Sequence, residues 1–170
     1  MAGNNKVFLG IDPGSTNLGY AFVHKGKVFA SGTINPSSMG IVGTVNEVLG
    51  DDRLGGDSTL VIERYVAYKG AHNSASENIL MIIGAFVYEF ERHGFEVLQF
   101  RAIDWKPLIC KHLFINHGFK NPSTTFDKKF SVAAAEALSG ITLKSNHEAD
   151  AICLAYQGSI LDELVQSKTS

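Results

Sequence analysis

Two short apolar runs in this chain each end on an acid. Val7 to Ile11 leads straight into Asp12, inside the stretch GIDPGSTNLGYA (residues 10–21), and Leu60-Val61-Ile62 leads into Glu63. Short apolar runs bounded by turn residues read as buried strands. A carboxylate delivered at the end of such a strand is costly unless something pairs with it. If the two strands are parallel neighbours, both acids leave the sheet at the same edge. Pro13-Gly14 and then Ser15-Thr16 punctuate the turn after Asp12, and a new strand opens near Gly19.

The rest of the chain fills in around these two strands. Strands are expected over residues 6–12, 19–24, 27–33, 59–63 and 96–100, with Lys25-Gly26 as a hairpin turn. Helices are expected over 37–49, 73–93, 105–117, 124–138 and 146–165. Asp104 is the expected N-cap of the third helix, with Pro107 in its first turn. The order β-β-β-α-β-α-β-α-α-α describes an α/β sandwich. Its first three strands are antiparallel and its later ones parallel to the first. A length of 170 residues and 45% hydrophobic content fit one domain over residues 1–170.

Bulk properties exclude several classes. The most apolar stretch, residues 79–87, is far shorter than the ~20 residues of a membrane span, and the run after residue 6 is too short for a signal peptide. Two cysteines, Cys110 and Cys153, make no disulfide framework, so a reducing cytoplasm is expected. Net charge is −2. Residues 101–130 nevertheless carry six basic groups (Arg101, Lys106, Lys111, Lys120, Lys128, Lys129) against Asp104 and Asp127. That local excess suits an anion-binding face as well as solvated helix surfaces.

A third acidic segment joins the first two. In Ser145-Asn146-His147-Glu148-Ala149-Asp150, His147 and Asp150 stand i, i+3 on one helix face. Ala151, Leu154 and Ala155 bring that helix onto the sheet. Asp12, Glu63, His147 and Asp150 are then able to converge. Clustered carboxylates repel unless a divalent cation offsets them, and hard oxygen donors suit Mg²⁺ or Mn²⁺. Two such ions ~3.5–4 Å apart serve in-line phosphoryl displacement. Taken singly, Asp12 also fits an Asx turn, Glu63 an ion pair with Arg64, and His147 a helix cap.

Gly10-Ile11-Asp12-Pro13-Gly14-Ser15, Gly19-Tyr20, Val61-Ile62-Glu63 and His147-Glu148-Ala149-Asp150-Ala151 resemble, in order and spacing, the motifs of RuvC-type Holliday-junction resolvases. The resemblance implies an RNase H-like mixed sheet flanked by helices and Mg²⁺-dependent phosphodiester cleavage. It also implies a homodimer that nicks opposing strands of a four-way DNA junction in recombination and repair, in a bacterial cytoplasm or from a phage. Metal ligands then fall on Asp12, Glu63 and Asp150, with His147 at a position that is either aspartate or histidine. Lys106 falls on a lysine near the scissile phosphate and Lys128 or Lys129 on a second. In the loop after Glu63 an expected wedge phenylalanine falls on Val66. Its neighbours Tyr65 and Tyr68 are candidates for stacking on bases, with Lys69 and Ser15 beside the DNA backbone.

Two other functions share parts of this pattern. An actin-like ATPase or sugar kinase also carries an Asp-x-Gly-Ser/Thr turn, but needs two such domains around a cleft, and no second copy of the turn occurs here. A fork or flap nuclease of the same fold differs only in the wedge loop.

Overall fold

The computed structural model describes residues 6–66 and 73–169. Its elements run β1 (Val7–Asp12), β2 (Leu18–His24), β3 (Lys27–Ile34), α1 (Pro36–Leu49), β4 (Ser58–Glu63), α2 (Ser74–Arg92), β5 (Glu96–Phe100), α3 (Ala102–His117), α4 (Lys128–Ser139) and α5 (Asn146–Thr169). This is the order expected from the sequence. The strands form one sheet ordered β3-β2-β1-β4-β5. β1 pairs antiparallel with β2, and β2 with β3. β4 lies parallel to β1, and β5 parallel to β4.

Alternation along the strands divides the interior into two cores. Leu9 and Ile11 of β1, Leu18 and Phe22 of β2, and Leu60 and Ile62 of β4 face α1 and α2, where Val45, Ile82, Phe86 and Phe90 close the layer. Phe8, Ala21, Val23 and Val61 face the other way. They pack under α3, α4 and α5 with Trp105, Ile109, Phe130, Ile152 and Leu154. The central strands are therefore apolar on both faces, and the acids stand only at their ends.

Two helix starts differ from expectation. α3 begins at Ala102, not after Asp104. The Asp104 carboxylate is taken by Arg101, 2.7 Å away in the same turn, and Arg101 occupies the cap position without a side-chain cap bond. Pro107 therefore lies inside the helix, beyond its first turn. α4 begins at Lys128, later than the expected residue 124, because Asp127 caps it by accepting from the Lys129 and Phe130 N–H groups. Ser123 Oγ donates to the same Asp127 carboxylate over 2.8 Å, folding the preceding residues into a turn around it. Among the described residues, no helix is long and apolar enough to cross a membrane.

Candidate active site

Strand register sets the first half of the site. Ile11 of β1 stands opposite Ile62 of β4, so Asp12 and Glu63, one residue on, leave the sheet side by side. Asp12 also pairs with Gly19 of β2. By alternation Gly10, Asp12, Gly19 and Glu63 share the face covered by α5.

Glycine sets the second half. A Cβ on Gly10 would lie 2.0 Å from the Ala151 carbonyl oxygen, and one on Gly19 would lie 2.0 Å from that of His147. Only bare backbone at these two positions lets α5 lie this close to the strands. The close approach carries the first turns of α5, with His147 and Asp150, onto the end of β1.

The side chains then interlock. His147 Nδ1–H donates to Asp12 Oδ2 over 2.6 Å. The Trp105 indole N–H donates to Glu63 Oε2 over 2.9 Å. The Lys106 ammonium stands 3.3 Å from Asp150 Oδ1. That oxygen is buried and has no aligned hydrogen bond, so its contact with Lys106 is an ion pair alone. Asp12, 8% exposed, is the most enclosed of the acids.

Burial and mutual repulsion govern the protons. Burial pushes the Asp12 carboxyl up, against the pull of its His147 bond, and the Asp150 charge adds to the rise. Burial and then the Asp12 charge push Glu63 to about 7, with the Trp105 bond pulling the other way. The bond to Asp12 raises the His147 imidazole, against its burial and, after that, the Lys128 charge. Both members of the Asp12–His147 pair are thereby held above their ordinary values.

A stability prediction follows. Glu63 has a higher pKa folded than unfolded, so its neutral form favours the fold. Its contribution is complete below the ordinary 4.5 and is lost as pH rises through about 7. In chelator, thermal stability is expected to fall across that window by up to about 3 kcal/mol. Glu63→Gln should flatten that fall; melting curves from pH 4 to 8 check it, and an unchanged slope in the variant would refute it.

Of the residues predicted from sequence, Asp12, Glu63, His147, Asp150 and Lys106 come together. Lys128 opens α4 close enough for its charge to act on His147, while Lys129 is exposed beside it. Ser15 lies in the β1–β2 turn, where its carbonyl accepts from Ser37 Oγ over 3.0 Å. Tyr65 is half-buried against the α2 core, its hydroxyl 3.1 Å from Ser76 Oγ. Val66 is the exposed residue there. Tyr68 and Lys69 lie outside the described residues. Among the described residues, no three His, Cys, Asp or Glu groups form a ready-made metal cage. Lys106 and His147 are the basic groups that stand against these acids, Lys106 on Asp150 and His147 on Asp12.

Sequence reasoning missed one member, Trp105. Its signal was available: the chain's one tryptophan directly precedes Lys106.

No protein-family model matches the chain, and no curated protein matches it in sequence. Solved structures do match in fold. Thermus thermophilus RuvC in complex with a Holliday junction substrate superposes with a TM-score of 0.66 at 19% identity, covering 94% of this chain and 96% of that one. A second T. thermophilus RuvC structure gives 0.63 at 20% identity, covering 93% and 96%. The yeast mitochondrial Holliday junction resolvase Ydc2 gives 0.52 at 14%, covering 95% and 83%. Nearly the whole chain therefore has the RNase H-like fold of RuvC.

Proposed function

We propose that this chain is a metal-dependent endodeoxyribonuclease that resolves four-way DNA junctions by phosphodiester hydrolysis. It acts as a homodimer of one nuclease domain, residues 1–170, in a bacterial or phage-infected cytoplasm. One observation carries the reading. Asp12, Glu63 and Asp150, from three separate elements, meet His147 and Lys106 at one sheet edge, in a fold shared with a RuvC that binds a Holliday junction substrate.

The residues fit a divalent cation. Asp150 Oδ1 is a buried acceptor without a hydrogen bond, and repulsion and burial keep Asp12 and Glu63 reluctant to ionise. Hard oxygen donors of this kind match Mg²⁺, with Mn²⁺ as a substitute. Asp12, Glu63, His147 and Asp150 would hold two such ions. When bound, the ions activate water as a nucleophile and stabilise the leaving oxygen. The chain's own groups prepare for this. His147 orients the Asp12 carboxylate through Nδ1, Trp105 fixes Oε2 of Glu63, and Lys106 presents its ammonium where a phosphate enters the set.

The wedge position supports a second reading. With Val66 where a phenylalanine is expected and Tyr65 tied to Ser76, residues 64–66 offer no free aromatic to open a junction. That favours a broader range of branched DNA, including forks and flaps. A cleavage panel decides between the two: four-way junction, fork, flap and linear duplex, each with Mg²⁺ and with Mn²⁺. Paired symmetric nicks in the junction alone support resolution. Equal cutting of forks and flaps supports the broader nuclease. No metal-dependent cutting of any branched DNA refutes both.

Dimerisation rests on α2. Ile83, in the most apolar stretch of α2, is only 7% exposed and belongs to this chain's own core. The outward face is formed by Leu80, Met81, Gly84 and Tyr88, at helical spacing, with Met81 59% and Tyr88 63% exposed. A second copy covering this stripe across a two-fold axis would give two sites matched to a two-fold junction. Light scattering is expected to give a dimer at micromolar concentration, and Leu80→Glu with Met81→Glu should give a folded monomer. A wild-type monomer would sink the proposal.

A further inference from the structure

We infer that Trp105 is a positioning residue for the metal-binding acids, one that fixes which oxygen of Glu63 is offered to a cation. This rests on the nuclease reading above. Trp105 is fully buried, so its polar atom needs a partner inside the protein. That partner is Glu63 Oε2, 2.9 Å from the indole nitrogen. The bond occupies one of the two carboxylate oxygens and leaves Oε1 as the other donor. The same indole ring lies 5.0 Å below the Lys106 ammonium, within cation–π range. Lys106 in turn stands 3.3 Å from Asp150 Oδ1. Two successive residues of α3 therefore reach two acids that arrive from β4 and α5, and one aromatic ring joins both contacts.

A tryptophan kept only for packing would need none of this. Phenylalanine would fill the same apolar layer, formed by Ile109, Phe130 and Ile152. The indole N–H is what distinguishes Trp105. Groups that orient a metal ligand in this way commonly matter for affinity by ~10–100-fold when removed.

Trp105 is the chain's one tryptophan, so its indole N–H gives a single nitrogen-15 correlation resonance that reports on the site in the intact protein. That resonance is expected to shift saturably with Mg²⁺, and to move in metal-free Glu63→Gln. In Trp105→Phe the Mg²⁺ concentration for half-maximal nicking should rise ~10–100-fold, with the KM for junction DNA unchanged, since a buried ring touches no DNA. A folded Trp105→Phe whose metal requirement is within twofold of wild type overturns the inference. An indole resonance indifferent both to Mg²⁺ and to Glu63→Gln overturns it as well, and settles the matter should Trp105→Phe fail to fold. A resonance that follows Mg²⁺ in a protein that cuts no branched DNA would support the positioning of Glu63 and refute the nuclease reading.

Discussion

Asp12→Asn is expected to reduce Mg²⁺-dependent nicking of a four-way junction by at least ~10³-fold, about 4 kcal/mol of transition-state stabilisation, while junction binding stays within a few-fold of wild type. Asp12 is the hub of the set. Its charge acts on Glu63, and it feels Asp150, His147 and Lys106 in return. Asparagine keeps the size and can still accept from His147 through its carbonyl oxygen, but it cannot bring negative charge to a cation. The fold should not suffer. Burial already disfavours the ionised form of Asp12, so a neutral amide is expected to leave the melting temperature of the metal-free protein unchanged or higher. Cleavage, gel-shift and melting measurements on one preparation separate these effects. Full metal-dependent cleavage by the variant would remove Asp12 from the chemistry.

Gly19→Ala should act in the opposite way, through the fold. The new methyl would meet the His147 carbonyl oxygen at 2.0 Å and its carbon at 2.3 Å. Both are backbone atoms in the first turn of a long helix, so no rotamer change relieves the clash. Either α5 lifts from β2 or the sheet bends, and because the clash is with backbone the expected cost is about 3 kcal/mol, the upper end of the usual range for overpacking. The lift also withdraws His147 and Asp150 from Asp12, so any folded fraction should be inactive. Gly56→Ala provides the control, since nothing lies within 4 Å of its added methyl, and it should unfold as wild type does. Chemical denaturation compares the three proteins. A Gly19→Ala midpoint equal to wild type would mean that α5 does not sit on bare backbone.

The parts of this structure legible in the sequence were those governed by short-range periodicity. The short apolar runs Val7 to Ile11 and Leu60 to Ile62 announced two central strands, each ending on an acid, and the i, i+3 spacing of His147 and Asp150 announced one helix face. The misjudged helix starts turned on competition for single carboxylates. Asp104 had two possible partners, the N–H groups of a helix start and the Arg101 guanidinium, and the guanidinium won. Asp127 caps α4 by accepting from the Lys129 N–H, so the helix starts later than the expected residue 124. The bond from Trp105 to Glu63 joins residues 42 apart in sequence, and no local pattern encodes it. Tyr65 looked like a loop aromatic because it follows the strand that ends at Glu63. Its place beside α2 depends on where Ser76 falls after the loop, and spacing alone does not fix that.

The alternation that separates the two cores also limits how a chain of this kind can change length. Gly10 and Asp12 face α5 because they stand an even number of positions after Phe8, which faces the same core. One residue inserted between Phe8 and Asp12 would turn the acid towards α1 and α2 and drive a bulky side chain into α5. Away from Gly10 and Asp12, substitutions can accumulate along β1 while this phase is kept, whereas odd insertions there cannot. Length is free to vary in loops such as residues 50–57, where no register is counted. An alignment of distant relatives would therefore be anchored better by the parity of positions before the acid than by the residues that fill them.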